Sequence, residues 1–287
     1  MTAASILPTT GLLGSEDGPH IALSPEAIFK VGNFTVTNSM IYGVVCAIGL
    51  LMLSLYVRKK IGLKASRGVS AFFEMIVDFI IGLIESPLGS RKKAVKYAPI
   101  FATFFIFIMF NNLMGLLPIV GPGVYAHTDI GQTPLFRPFT ADLNGTIALS
   151  VIAIITVQIL SIKESGFGGH LKHYFSDKPF NPINMFIGLL EVFGELTRIT
   201  SLSLRLFLNT AVGEILISVF AYIGRDFRSL TILPIAVFEM MVALIQAYVF
   251  TMLCATYLGL AISHGHDEES SDAQHSIADL NEAKASG

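Results

Sequence analysis

Glu191, Glu195, Arg198, Arg205 and Asn209 stand, with Leu202 among them, at steps of four, three, four, three and four residues. On an α-helix such steps place all of them on one stripe. Further along, Glu239 and Gln246 are seven residues apart and share a face of the next apolar segment. Glu214 lies nine residues beyond Arg205, about half a turn away around an ideal helix, and so looks into a different space. Carboxylates in such a setting take up and release protons, while an arginine holds a fixed charge.

The surroundings decide between a structural charge and a working one. Glu195 and Arg198, three residues apart, are able to neutralise each other. Arg205 has no such neighbour: it is flanked by Leu204, Leu206, Phe207 and Leu208, and no carboxylate lies within four residues of it. An arginine at membrane depth costs about 2.5–3.5 kcal/mol or more, and ionisable groups kept there mark ion pathways. Arg205 is therefore expected to work on an ion.

The elements that must position these residues are membrane helices. Of the 287 residues 53% are hydrophobic and only 14% charged, and the mean hydropathy is +0.66. Soluble domains carry about 25% charged residues, so the chain is an all-α polytopic membrane protein. A net charge of −2 and the lack of a basic stripe with interleaved aromatics argue against a nucleic-acid partner. The two cysteines, Cys46 and Cys254, both lie in apolar runs, which argues against a disulfide framework or a cysteine metal site. No cofactor is expected. A metal at His264 and His266 in a polar tail is equally unexpected.

Spanning helices need roughly 20 apolar residues. Residues 1–37 form an N-terminal outer segment, without the Lys or Arg of a signal peptide in 1–20. A single membrane domain covers 38–262. It holds a transmembrane helix (38–57), an amphipathic helix (69–86) with Glu74, Asp78 and Glu85 on one face, and a transmembrane hairpin (97–118 and 140–162). Two long segments follow, 184–223 and 231–262, separated by "GRDFRSL". At 1.5 Å per residue they run about 60 and 48 Å, so they must be bent, broken or tilted. Residues 263–287 are polar and acidic and are expected to be a flexible cytoplasmic tail.

Loops 58–69 and 91–96 hold nine Lys or Arg between them, whereas 119–139 holds only Arg137. Basic loops mark the cytoplasmic side. The N-terminus is thus expected outside and the loop 163–183, with Lys163, Lys172 and Lys178, inside. No G-x-x-x-x-G-K-[ST] occurs, and "GFGGH" (166–170), with no preceding strand, reads as a turn. Nucleotide chemistry is not expected in this chain.

The stretches "SLSLRLFLNTAVGEIL", "ALIQAYVFTMLCATYLGLA", "FNNLMGLLP" and "TADLNGTIAL" resemble, in that order, subunit a of the F-type ATP synthases, the stator half of the proton turbine in the membrane Fo sector. The resemblance covers most of residues 30–262. It implies that Arg205 is the essential rotor-facing arginine and that Gln246 faces it from the next helix. Glu214 and Glu239, with Asn112, Asp142 and Asn144, match the outer proton half-channel. Glu191 matches a position near the inner one, with Asn209 contributing. Some members carry a histidine where this chain has Glu239, and some an aspartate where it has Gly115.

The resemblance further implies partners: a ring of carboxylate-bearing c subunits, the subunit b peripheral stalk and the catalytic head, all in a lipid bilayer with protons as the transported ion. The membrane is expected to be a bacterial plasma membrane, with an organelle inner membrane as the alternative. A stand-alone ion channel or secondary transporter is the competing functional class, but no inverted repeat is visible. A structural assembly factor would leave Arg205 without a role.

Overall fold

The structure is a computed structural model, which describes residues 27–31, 34–60, 69–117, 125–128, 131–134, 136–174, 182–224 and 227–285. The expectations for residues 1–20, for most of the basic loop 58–69 and for the end of the loop 163–183 fall outside these residues. Six long helices make up the body: α1 (Asn38–Lys60), α2 (Val69–Leu88), α3 (Arg91–Gly115), α4 (Leu143–Tyr174), α5 (Pro182–Gly224) and α6 (Arg228–Ala285). Five of them are long and apolar enough to cross a membrane, α2 being the exception. The chain is a multi-pass, all-helical membrane protein.

Two short antiparallel ladders add to this plan. β1 (Ala27–Val31) pairs with β2 (Phe34–Thr37) just before α1, and β3 (Tyr125–Thr128) pairs with β4 (Gly131–Pro134) between α3 and α4. The first follows from "FKVGNFTVT", where Gly-Asn separates two β-prone runs.

Three helix boundaries differ from the expectation. The basic run "RKKAVK" belongs to α3, which starts at Arg91 after the N-cap Ser90, and the φ of +65° at Gly89 turns the chain out of α2. "GFGGH" is inside α4 rather than in a turn, because helix-compatible residues continue on both sides of it. The acidic tail is also corrected: the backbone of α6 stays helical to Ala285, and no Gly or Pro interrupts residues 266–285.

The core lies where α2, α3, α4, α5 and α6 converge. Ile80 and Ile84 of α2, Phe101 and Phe105 of α3, Leu202 and Leu206 of α5, and Phe250 and Leu258 of α6 are all buried in it. The amphipathic face of α2 accounts for its place: Ile76, Ile80, Ile81, Ile84 and Leu88 are buried, whereas Glu74 and Asp78 are exposed.

α5 and α6 form an antiparallel hairpin. Cross-helix contacts join Thr231 to Phe220, Glu239 to Gly213, Gln246 to Asn209 and Tyr257 to Arg198. Each step along α5 is matched by an opposite step along α6. The polar positions of the two helices are therefore brought to common levels.

Candidate functional site

Arg205 sits between two of these levels, half-buried on α5. Among the described residues it forms no ion pair and no hydrogen bond. Leu202 and Leu206 of the same helix and Phe250 of α6 belong to the buried core. On the same helix Leu204, Leu208 and Val212 are exposed, as are Met241, Leu244 and Tyr248 on α6.

Toward the C-terminal end of α5 lies a cavity of about 40 Å³. A water needs roughly 10–15 Å³ by this measure, so more than one fits. Asn112 of α3, Asn209 and Glu214 of α5, and Glu239 and Gln246 of α6 line it. Five of the nine residues singled out in the sequence thus share one space. Asn209 donates from Nδ2 to Gln246 Oε1. Asn112 Oδ1 accepts from Thr140 Oγ1 at 2.7 Å. The buried Glu239 carboxyl lies against Gly213, where a methyl group would come within 2.6 Å of its Cδ.

Toward the N-terminal end of α5 there is a second polar group. Glu195 Oε1 accepts from Arg198 Nη1 at 2.6 Å and from Gln158 Nε2 of α4 at 2.7 Å. The Arg198 guanidinium also stands 5.2 Å over the Tyr257 ring. Glu191, half-buried, is one turn further on. Two polar regions therefore flank Arg205 along α5, and the core residues Leu202, Leu206 and Phe250 lie at helix levels between them.

Other expected residues are placed elsewhere. Asp142 does not line the cavity: its Oδ1 accepts from the Asn144 backbone N–H at 3.0 Å and its Oδ2 from Ser39 Oγ at 2.7 Å. It caps α4 and ties that helix to the start of α1, since a carboxylate at this position satisfies an orphan N–H of the first turn. The Asn144 side chain is exposed and also away from the cavity. Among the described residues no hydrogen bond joins Arg205 to Gln246. Its amide oxygen is taken by Asn209, one turn past the arginine on the same stripe.

The loop before α4 supplies what the sequence did not mark. Arg137 is buried and pairs with Glu214, Nη2 to Oε2, at 3.4 Å. Its one signal in the sequence is that it is the sole basic residue of 119–139. Next to it, Pro138 packs against Gly115, where a methyl group would fall 2.8 Å from Pro138 Cγ. An aspartate at position 115 would find its place filled by that proline.

Fold and site together define a multi-pass membrane protein whose two long, antiparallel helices carry, between two polar regions, an arginine with no ion pair among the described residues. The chain belongs to the ATP synthase A chain family, whose pattern it matches over residues 39–259. It is 32% identical to "ATP synthase subunit a" of Moorella thermoacetica over 84% of this chain and 98% of that protein. Identity to "ATP synthase subunit a" of Citrifermentans bemidjiense is 30%, over 80% of this chain and 89% of the relative. For "ATP synthase subunit a" of Desulforamulus reducens it is 35%, over 69% and 68%.

Proposed function

We propose that this chain is the stator subunit a of a rotary F-type ATP synthase and that it conducts protons to and from the carboxylates of a c-ring. The observation that carries this is the position of Arg205: a cation with no ion pair among the described residues, on a helix with many exposed apolar side chains, with a polar region on either side and buried core side chains at the levels between them. The family membership and the names of the relatives support it. A stand-alone transporter gains no support from either.

In this account a proton enters through the cavity lined by Asn112, Glu214 and Glu239 and passes to a ring carboxylate. Neutralised, that carboxylate turns through lipid, since burial disfavours only its charged form. After nearly a full turn it meets Arg205. The fixed positive charge favours the carboxylate form and sends the proton out past Glu195 and Glu191. Arginine suits this task because it stays protonated where a lysine would not. Leu202, Leu206 and Phe250 keep water from joining the two paths. The membrane potential contributes about 2.3 kcal/mol per charge per 100 mV to each passage.

No nucleotide is handled by this chain; a catalytic head does that, held by a subunit b stalk. The basic ends of α1 and α3 face the cytoplasm of a bacterial cell, and the N-terminus lies outside. The exposed face around Arg205, with Leu208 and Tyr248, meets the ring. Mild-detergent purification through a tag on this chain tests the assignment. Recovery of a carboxylate-bearing ring and an ATP-hydrolysing head is expected, and recovery of the chain alone contradicts it.

A further inference from the structure

Arg137 is a buried cation supplied by a loop, and its partner is the less buried of the two. The arginine side chain is 8% exposed and the Glu214 side chain 32%. A guanidinium withdrawn from water without a counter-charge is strongly unfavourable, and Glu214 supplies a counter-charge to Arg137. The loop is fastened to α3 by the contact of Pro138 with Gly115 and by the hydrogen bond from Thr140 to Asn112. It therefore delivers a charge from a rigid support to the wall of the cavity.

We infer that Arg137 is a positioning residue of the proton-entry path: its guanidinium holds the Glu214 carboxylate at the cavity wall and releases it when a proton arrives. The inference rests on the proton-path reading above. Only the carboxylate member can switch, since the guanidinium keeps its proton. A proton from cavity water adds to a Glu214 oxygen, and the attraction to Arg137 falls away. The neutral carboxyl is then free to turn toward Glu239, which lies across Gly213 on α6. When the proton leaves for Glu239 or for water, Glu214 regains its charge and returns to Arg137. Proton and charge are accounted for without any further reactant.

Arg137→Gln and Arg137→Lys, made in the full complex, test this in inverted vesicles by ATP-driven acidification, normalised to assembled complex. Arg137→Gln is expected to lose about tenfold or more of the rate, and Arg137→Lys, which keeps the charge, to stay within roughly threefold of wild type. Wild-type rates in Arg137→Gln, or equal losses in both variants, overturn the role. Should Arg137→Gln fail to assemble, Arg137→Gln/Glu214→Gln decides. Assembly restored with acidification still lost supports the pair, whereas assembly still lost or acidification at the wild-type rate refutes it. Arg205→Ala in the same vesicles separates two failures. If it is silent while Arg137→Gln pumps normally, only the role of Arg137 falls; if it pumps normally, the stator reading falls and this inference with it.

Discussion

Gly213 of α5 and Glu239 of α6 are packed so closely that the glycine's missing side chain is the space the carboxyl occupies: a methyl there would stand 2.6 Å from Cδ. Gly213→Ala must therefore displace Glu239 from the cavity wall. ATP-driven acidification per assembled complex is expected to fall several-fold, on the order of the 1–3 kcal/mol typical of overpacking. Glu239→Asp in the same chain draws the carboxyl back by one carbon and should restore part of the rate. An unchanged rate in Gly213→Ala would show that Glu239 is free to move without consequence.

Gln246 is buried and accepts from Asn209, and among the described residues its Nε2 has no hydrogen-bond partner. Gln246→Leu leaves Asn209 Nδ2 without its acceptor, at a cost of about 1–3 kcal/mol. Coupling is expected to suffer more than assembly: acidification per complex drops while the yield of complex stays near wild type. The measurement is a paired assay of vesicle pumping and of complex recovered. Loss of yield with a normal rate per complex would make Gln246 a structural residue only.

Asp142 and the cavity residues predict opposite behaviour. Asp142 caps α4 and accepts from Ser39 Oγ at 2.7 Å. Asp142→Ala removes both bonds, and a lost cap alone costs about 0.5–2 kcal/mol. The melting temperature of the solubilised complex should fall while acidification per intact complex is unaltered. A normal melting temperature with reduced pumping would return Asp142 to the proton path.

How much of this was legible in the sequence depends on the range of the interaction. Arg205 stood out because its neighbours along the helix are Leu204, Leu206, Phe207 and Leu208, and local context alone shows that no intrahelical partner exists. Glu214 was separable from it by helical phase, nine residues on and half a turn away. Arg137 was not legible as a site residue, because its partner is on another element and no periodicity links a loop to α5. Asp142 carried a readable signal, an acid just before the apolar run that starts at Leu143. Placing the start of the helix at Thr140 hid it inside the first turn. The pairing of Gln246 with Asn209 required the register of α5 against α6, which only tertiary packing sets.

The central claim is that the unpaired charge of Arg205 couples proton movement to the ring. ATP-driven acidification of inverted vesicles carrying Arg205→Ala, in complexes shown to be assembled, tests it most directly. The account predicts that acidification vanishes and that passive proton leak rises once the catalytic heads are stripped. Acidification at the wild-type rate would contradict it, leaving Arg205 a tolerated charge in an apolar face.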